Sequence, residues 1–220
     1  MSFTTSEENY IKSIYHLQQA SGMVNTNTLA AEMQTRAASV TDMLKKLKAK
    51  KLLQYERYRG FRLSEAGKKA ALDVVRKHRL WEYFLAEHLK FDWDKVHPIA
   101  EELEHISSDE LVQRLDNFLG NPSFDPHGDP IPDRNGKIPV INQLSLTDIP
   151  LKKPVRVSSV SNQSAQMLEM LKHYHIALGT QIMVLNHFAF DGSLEIKVLK
   201  HSPCIISEPV AKNIFVHYVQ

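Results

Sequence analysis

The sequence predicts a mainly α protein with a second, β part at its end, opening on a winged helix-turn-helix. Three observations carry this. Apolar residues recur at helical spacing through most of the first 120 residues. A short alternating hairpin interrupts them near residue 60. Beyond a stretch holding seven of the ten prolines, Pro122 to Pro154, the pattern becomes strand-like. The 220 residues are 43% hydrophobic and 24% charged, an ordinary globular composition. No apolar run approaches the roughly 18 residues of a membrane span, and MSFTTSEENY lacks a signal-peptide pattern. The single cysteine, Cys204, excludes an intramolecular disulfide framework. The expected setting is cytoplasmic, with no membrane partner.

Taken in order, the first helix should begin near Thr5, with Thr5 and Glu8 at capping-box spacing and Tyr10, Ile11, Ile14, Tyr15 and Leu17 on its apolar face. A short helix over 27–33 carries Leu29, Ala30 and Met33, and Thr35 is a candidate cap for a third over 37–50, with Val40, Leu44 and Leu47 inward. LLQYERYRGFRLS supplies a hairpin turning at YRG. Ser64 should cap a long helix over about 65–89. Pro98 at a first helical position, with His97 at the cap, starts another, and Ser107 with Glu110 a further one to about Leu119. Then come the proline-rich linker, 121–154, and strands in VRVSSV, QIMVLNHF, SLEIKVL and NIFVHYV, with a short helix in 163–173 and a turn at Asp191-Gly192.

Charge is uneven. Residues 1–64 carry ten Lys and Arg against five Asp and Glu, and residues 65–120 carry eight against twelve. A basic end suits a polyanion and an acidic middle suits a cation. The helix–turn–helix–wing order places the third helix in a DNA major groove. The residues expected at the DNA are Arg36, Ala38, Ser39, Thr41, Asp42 and Lys46, with Lys45 and Lys48 adding charge and Arg57, Arg59 and Arg62 on the wing.

In the acidic middle, Glu101, Glu104 and His105 stand at i, i+3 and i+4 on one helical face, and His78 with Glu82 makes an i, i+4 pair. With His97 these offer three carboxylates and three imidazoles, a donor set for Mn(II), Fe(II) or a similar divalent ion. Without thiolates it does not suit a structural zinc. Either pair alone is better read as a surface ion pair; both together, beside a DNA reader, favour metal. A metal hydrolase would use similar ligands, but no HExxH-type motif or substrate loop accompanies them. A third reading has the C-terminal part sense a small molecule.

EENYIKSIYHL, SVTDMLKKLKAKKLLQYERYRGFRLSEAGKK, RKHRLWE, KVHPIAEELEHISSDE and DPHGDPIP together resemble the DtxR/MntR family of metal-dependent transcriptional repressors. The resemblance implies a DNA-binding domain over 1–64, a helical metal-binding and dimerisation domain over 65–120, the linker over 121–154, and a FeoA-like small β-barrel over 155–220. It implies a homodimer on double-stranded operator DNA of metal-uptake genes, not an enzyme. By position it implies a regulatory metal site of Asn9, Glu101, Glu104 and His105, and an ancillary site of His78, Glu82 and His97. The barrel positions matching the family's additional ligands are Ser164 and Met167, with Gln163, Gln166 or Glu169 after a small shift. Glu101 stands where iron-type members have Cys, which favours Mn(II) over the alternative Fe(II). Asn9 stands in place of Asp or Met. Lys12 stands where two-domain manganese regulators have Glu, which argues against their closely spaced two-metal arrangement.

Overall fold

The computed structural model describes residues 3–56, 59–140 and 143–219. They form two compact bodies. The first takes the chain up to His78 with Leu103–Asp109 and Pro132–Ile138; the second takes Arg79–Glu102, Glu110–Ile131 and the chain from Pro139 onward.

The first body opens on α1 (Thr5–Ser21). Its cap is Thr4, whose side chain accepts from the Glu7 N–H while Glu7 accepts from the Thr4 N–H. The capping box therefore lies one residue earlier than Thr5 and Glu8, which leaves Glu8 available for other partners. Helix α2 (Thr26–Glu32) is capped by Asn25. Helix α3 (Ala37–Ala49) follows Arg36, which makes no side-chain cap, so Thr35 does not take that role. Strands β1 (Leu53–Glu56) and β2 (Gly60–Leu63) pair antiparallel from Leu53↔Leu63 to Glu56↔Gly60; Arg57 and Tyr58, in and beside the predicted turn, lie outside the described residues. Val24 and Phe61 exchange backbone hydrogen bonds of 2.9 Å. A Cβ on Gly60 would sit 2.3 Å from the Val24 oxygen, and φ there is 116°, so only glycine lets the wing lie this close. Ile11, Ile14, Leu29, Val40, Leu47 and Phe61 form the core of this body, each large side chain contributing about 1.5–3 kcal/mol.

Helix α4 (Glu65–Glu87) starts after Ser64, whose hydroxyl accepts from the Gly67 N–H at 3.1 Å. Helix α5 (Val96–Leu103) begins two residues before Pro98. Pro98 still falls in the first turn, where its missing N–H removes no intrahelical bond, but His97 is a helical residue and not the cap. Helix α6 (Asp109–Phe118) starts one residue later than a Ser107 cap implies.

In the second body Leu80, Leu115, Leu119 and Ile131 form one apolar cluster. A larger one lies within a six-stranded sheet: β3 (Leu144–Ser145), β4 (Pro154–Val160), β5 (Gln181–His187), β6 (Leu194–Val198), β7 (Cys204–Ile206) and β8 (Ile214–Tyr218), in the order β3-β8-β4-β5-β6-β7. Among the described residues β3 and β7 do not pair, so the barrel's strand order ends in two edges. Register shifts at Val157/Ser159 and Val184/Asn186 bend the sheet. As expected, Leu194, Ile196 and Val198 face inward while Glu195 and Lys197 do not. Helix α7 (Ala165–His173) was anticipated; β3, β7 and α8 (Glu208–Lys212) were not. Among the described residues no helix is long and apolar enough to cross a membrane.

Candidate metal centre and nucleic-acid face

Helix α3 buries Val40, Leu44 and Leu47 and half-buries Met43, while Arg36 at its start and Ala38, Ser39, Thr41, Asp42, Lys45, Lys46 and Lys48 along it are exposed. Thr41 donates its hydroxyl to the Ala37 carbonyl within the helix, and Asp42 meets Lys45 at 3.1 Å. Arg59 and Arg62 are exposed on the wing, near Glu56 at 3.8 and 3.6 Å. Cationic side chains with weak, solvated partners on one helix and its wing form an electrostatic footprint for phosphates.

The first body also holds a polar cluster inside. Glu104 is fully buried just beyond α5, and both its oxygens receive Lys12 Nζ, at 2.7 and 2.8 Å. Its Oε2 also meets His78 Nδ1 at 2.7 Å. His105 places Nδ1 2.6 Å from Glu8 Oε2, and Nε2 3.7 Å from Glu104. Lys77 Nζ reaches Glu8 at 3.4 Å. Asn9 Oδ1 is buried without a hydrogen-bond partner among the described residues. Of the expected regulatory set, Asn9, Glu104 and His105 lie in this body and Glu101 in the other. His78 is engaged by Glu104, while the other two members of the ancillary set, Glu82 and His97, belong to the second body.

There, His97 Nδ1 is 3.1 Å from Glu82 Oε1, and His97 Nε2 is 3.5 Å from Glu101. Glu82 is joined by two residues the sequence reading did not single out. The candidate ligand atoms of Glu82, Asp125 and His127 lie within 4.8 Å of one another, and all three residues are buried. Ligands at about 2.0–2.2 Å from one ion stand at most roughly 4.4 Å apart, so a sub-ångström contraction would close this set on a metal.

The loop that carries Asp125 and His127 aims them. Asp125 Oδ1 accepts the backbone N–H groups of His127 and Asp129, at 2.8 and 2.9 Å. Its Oδ2 is buried without a hydrogen-bond partner among the described residues, the Arg79 guanidinium standing 3.6 Å away. His127 Nε2–H donates to the Trp93 carbonyl at 2.9 Å, and the Trp93 ring stacks on the imidazole. In the neutral ring the lone pair therefore resides on Nδ1, which is buried, has no hydrogen-bond partner among the described residues and lies 3.8 Å from Glu82. Fixing one ring nitrogen on a carbonyl is how proteins orient a metal-binding imidazole. Gly128, at φ 84°, completes the turn: a Cβ there would lie 1.9 Å from the Ser158 oxygen, and the His127 carbonyl accepts from the Val160 N–H. The donor set therefore fits a divalent cation.

Electrostatics agree. Burial, then the neighbouring Glu82 and Asp129 carboxylates, push Asp125 up to about 8. Burial alone would lower His127, but the Glu82 and Asp125 carboxylates outweigh it and the net shift is upward. Both shifts favour the protonated forms, and the Arg79 guanidinium offsets the carboxylate charge only in part. Around it, Arg79 also holds Asp129 at 3.3 Å, and Gln163 donates to Asp129 at 2.9 Å. Of the barrel positions considered as ligands, Ser164 caps α7, Met167 is buried in the sheet's core, and Gln166 and Glu169 are exposed. The available signal was DPHGDP itself, two carboxylates and an imidazole in a loop rich in turn-formers. With no helical period to align them, nothing local pointed them at Glu82.

A winged helix with a cationic reading face, in one chain with a buried carboxylate–imidazole site, defines a DNA-binding regulator that answers to a metal. Known proteins agree. Residues 2–61 match the iron dependent repressor N-terminal DNA binding domain, 64–133 the iron dependent repressor metal binding and dimerisation domain, and 144–218 the FeoA domain. The chain is 31% identical over 160 residues to the iron-dependent repressor IdeR of Mycobacterium tuberculosis, covering 68% of each. It is 34% identical over 116 residues to the HTH-type transcriptional regulator MntR of Oceanobacillus iheyensis, covering 53% of this chain and 78% of that one. Among solved structures, a manganese-dependent transcriptional repressor in complex with manganese superposes with TM-score 0.87 at 32% identity, covering 97% of this chain and 100% of that one. ScaR with bound Cd2+ gives 0.84 at 31%, covering 97% and 99%. The chain belongs to the DtxR/MntR family and is a metal-dependent transcriptional repressor.

Proposed function

We propose that this repressor is controlled by Mn(II) held by Glu82, Asp125 and His127, with His97 at the rim, and that the occupied protein represses metal-uptake genes from the cytoplasm. One observation carries this reading: two buried ligand atoms, Asp125 Oδ2 and His127 Nδ1, stand without hydrogen bonds beside the Glu82 carboxylate. Two carboxylate oxygens and one imidazole are hard to borderline donors, which suit Mn(II) without excluding Fe(II). A bound ion would supply positive charge among carboxylates that the Arg79 guanidinium balances only in part. His127 is oriented by Trp93, Asp125 by two backbone N–H groups, and Arg79 balances the carboxylates that face away.

Arg36, Ala38, Ser39, Thr41, Asp42 and Lys46 would enter the major groove and Arg59 would meet the backbone. The functional unit is a homodimer. On the second body Leu89, Phe91, Leu111 and Phe118 are exposed, and Phe118 packs on His88 and Phe84. Such an apolar face is suited to cover by a second copy. The test is operator selection from a DNA pool by chelator-stripped protein, titrated separately with Mn(II) and anaerobic Fe(II). Sequence-specific binding is expected only with metal, at a lower concentration of Mn(II). Equal binding without metal would remove the switch, and a lower threshold for Fe(II) would change the ion.

A further inference from the structure

We propose that Tyr55 is a positioning residue for DNA: its ring holds the Lys48 ammonium at the joint of α3 and the wing, where that cation meets a backbone phosphate. The lysines of the α3 segment differ in what surrounds them. Lys45 is paired with Asp42 at 3.1 Å. Lys50, whose Nζ lies 5.5 Å from the centre of the Phe3 ring, is neutralised by Glu7 at 2.7 Å. Lys46 and Lys48 pair with no carboxylate among the described residues, and Lys48 Nζ stands 5.0 Å from the centre of the Tyr55 ring. Lys48 is thus both uncompensated and held in place.

The ring is itself seated. Tyr55 lies opposite Phe61 in the β1–β2 register, and the two rings are 5.8 Å apart. Phe61 belongs to the buried core of this body, whereas Tyr55 is 47% exposed. Burial pushes the Tyr55 phenol up, so it adds no negative charge beside the ammonium. Lys48 is exposed as well. A ring engages an ammonium from one side and leaves N–H donors turned to solvent. A lysine held this way loses less side-chain freedom on meeting a phosphate than one swinging in water. In the proposed docking α3 enters the groove and the wing meets the backbone, and Tyr55 ties one to the other. Arg62, opposite Gln54 next to Tyr55, adds an exposed cation on the same hairpin.

This deepens the DNA-facing reading of α3 and the wing, and holds whichever ion the protein binds. The test uses full-length protein with saturating Mn(II) and two duplexes of equal length, the operator recovered by selection and one of random sequence. Affinity is measured from about 50 to 200 mM salt for the wild type, Lys48→Met, Tyr55→Leu, Tyr55→Phe and the Lys48→Met/Tyr55→Leu double variant. Circular dichroism first shows each to be folded. Lys48→Met should weaken both duplexes by the same factor and flatten the slope of log affinity against log salt by about one. Tyr55→Leu should weaken both by about two- to fivefold, the size of an exposed cation–π contact. Once Lys48 is Met, it should have no further effect. Tyr55→Phe keeps the ring face and should retain the wild-type slope. An unchanged slope in Lys48→Met would overturn the phosphate contact, as would a loss confined to the operator. Equal losses from Tyr55→Leu with and without Lys48 would overturn the positioning role and make Tyr55 wing packing alone. A wild type that binds neither duplex would overturn the DNA-facing reading, and the proposal with it. Wild-type binding that ignores Mn(II) would contradict only the metal switch, and the slopes then decide this proposal unchanged. Should Tyr55→Leu fail to fold, Tyr55→Val, which suits a strand, takes its place in the cycle.

Discussion

His127 commits Nε2 to the Trp93 carbonyl and leaves Nδ1 toward Glu82, while Asp125 commits Oδ1 to two backbone groups and leaves Oδ2. Asp125 is pushed up to about 8, so at neutral pH it holds a proton that a metal must displace, and His127 is shifted in the same direction. Mn(II) affinity should therefore rise with pH up to about 8 for Asp125, with proton release. Calorimetry in two buffers of different ionisation heat measures this; a pH-independent affinity would contradict it. The sign for the ion-free protein is opposite. A group whose pKa is raised on folding lends stability below its unfolded value and loses it as pH climbs toward the folded one. Urea midpoints of stripped protein should thus fall between the ordinary carboxylate range and about pH 8. Periodicity showed Glu82, Glu104 and His105 but could not show their partners. Glu104 meets Lys12, 92 residues away in sequence, and such pairings are set by tertiary packing.

Among the elements, helix existence was legible and helix ends were not. Runs such as Val40, Leu44 and Leu47 placed α3, whereas the α1 cap moved by one residue because Thr4 and Glu7 have the same spacing as Thr5 and Glu8. That shift matters to function, since it turns Glu8 to His105. Strands β3 and β7, two and three residues long, are too short for alternation to show. The loop at 125–128 had no periodic signature, yet it carries Asp125 and His127 of the candidate metal group. Gly128→Ala puts a Cβ against the Ser158 carbonyl at positive φ, a backbone cost of about 1–3 kcal/mol before any steric term. A lower urea midpoint and weaker Mn(II) binding are expected together. Unchanged Mn(II) affinity would mean that the turn does not aim Asp125 and His127.

For the whole molecule, the sequence separated a basic reading end, an acidic middle and a strand-rich end, because composition and period shift where the domains do. Its proline-rich segment suggested a linker, and within that segment the DPHGDP loop, which carries two residues of the candidate metal group, is ordered by its own Asx turn and by Gly128 against β4. Leu89, Phe91, Leu111 and Phe118 are exposed on the second body, the face proposed above to be covered by a second copy. Phe118→Glu should shift the protein to monomer by sedimentation and weaken operator binding by more than tenfold (on the order of 1.4 kcal/mol or more), because two reading heads then no longer bind as one unit. A stable dimer in that variant would place the interface elsewhere.

The central claim is that the ion acts through the buried loop site. The most direct measurement is operator affinity of stripped wild type and His127→Ala, with and without Mn(II), after circular dichroism has shown that both are folded. The wild type should tighten by a factor in the usual allosteric range of about 5–150, and His127→Ala should bind equally weakly in both conditions. Wild-type stimulation persisting in His127→Ala would contradict the claim.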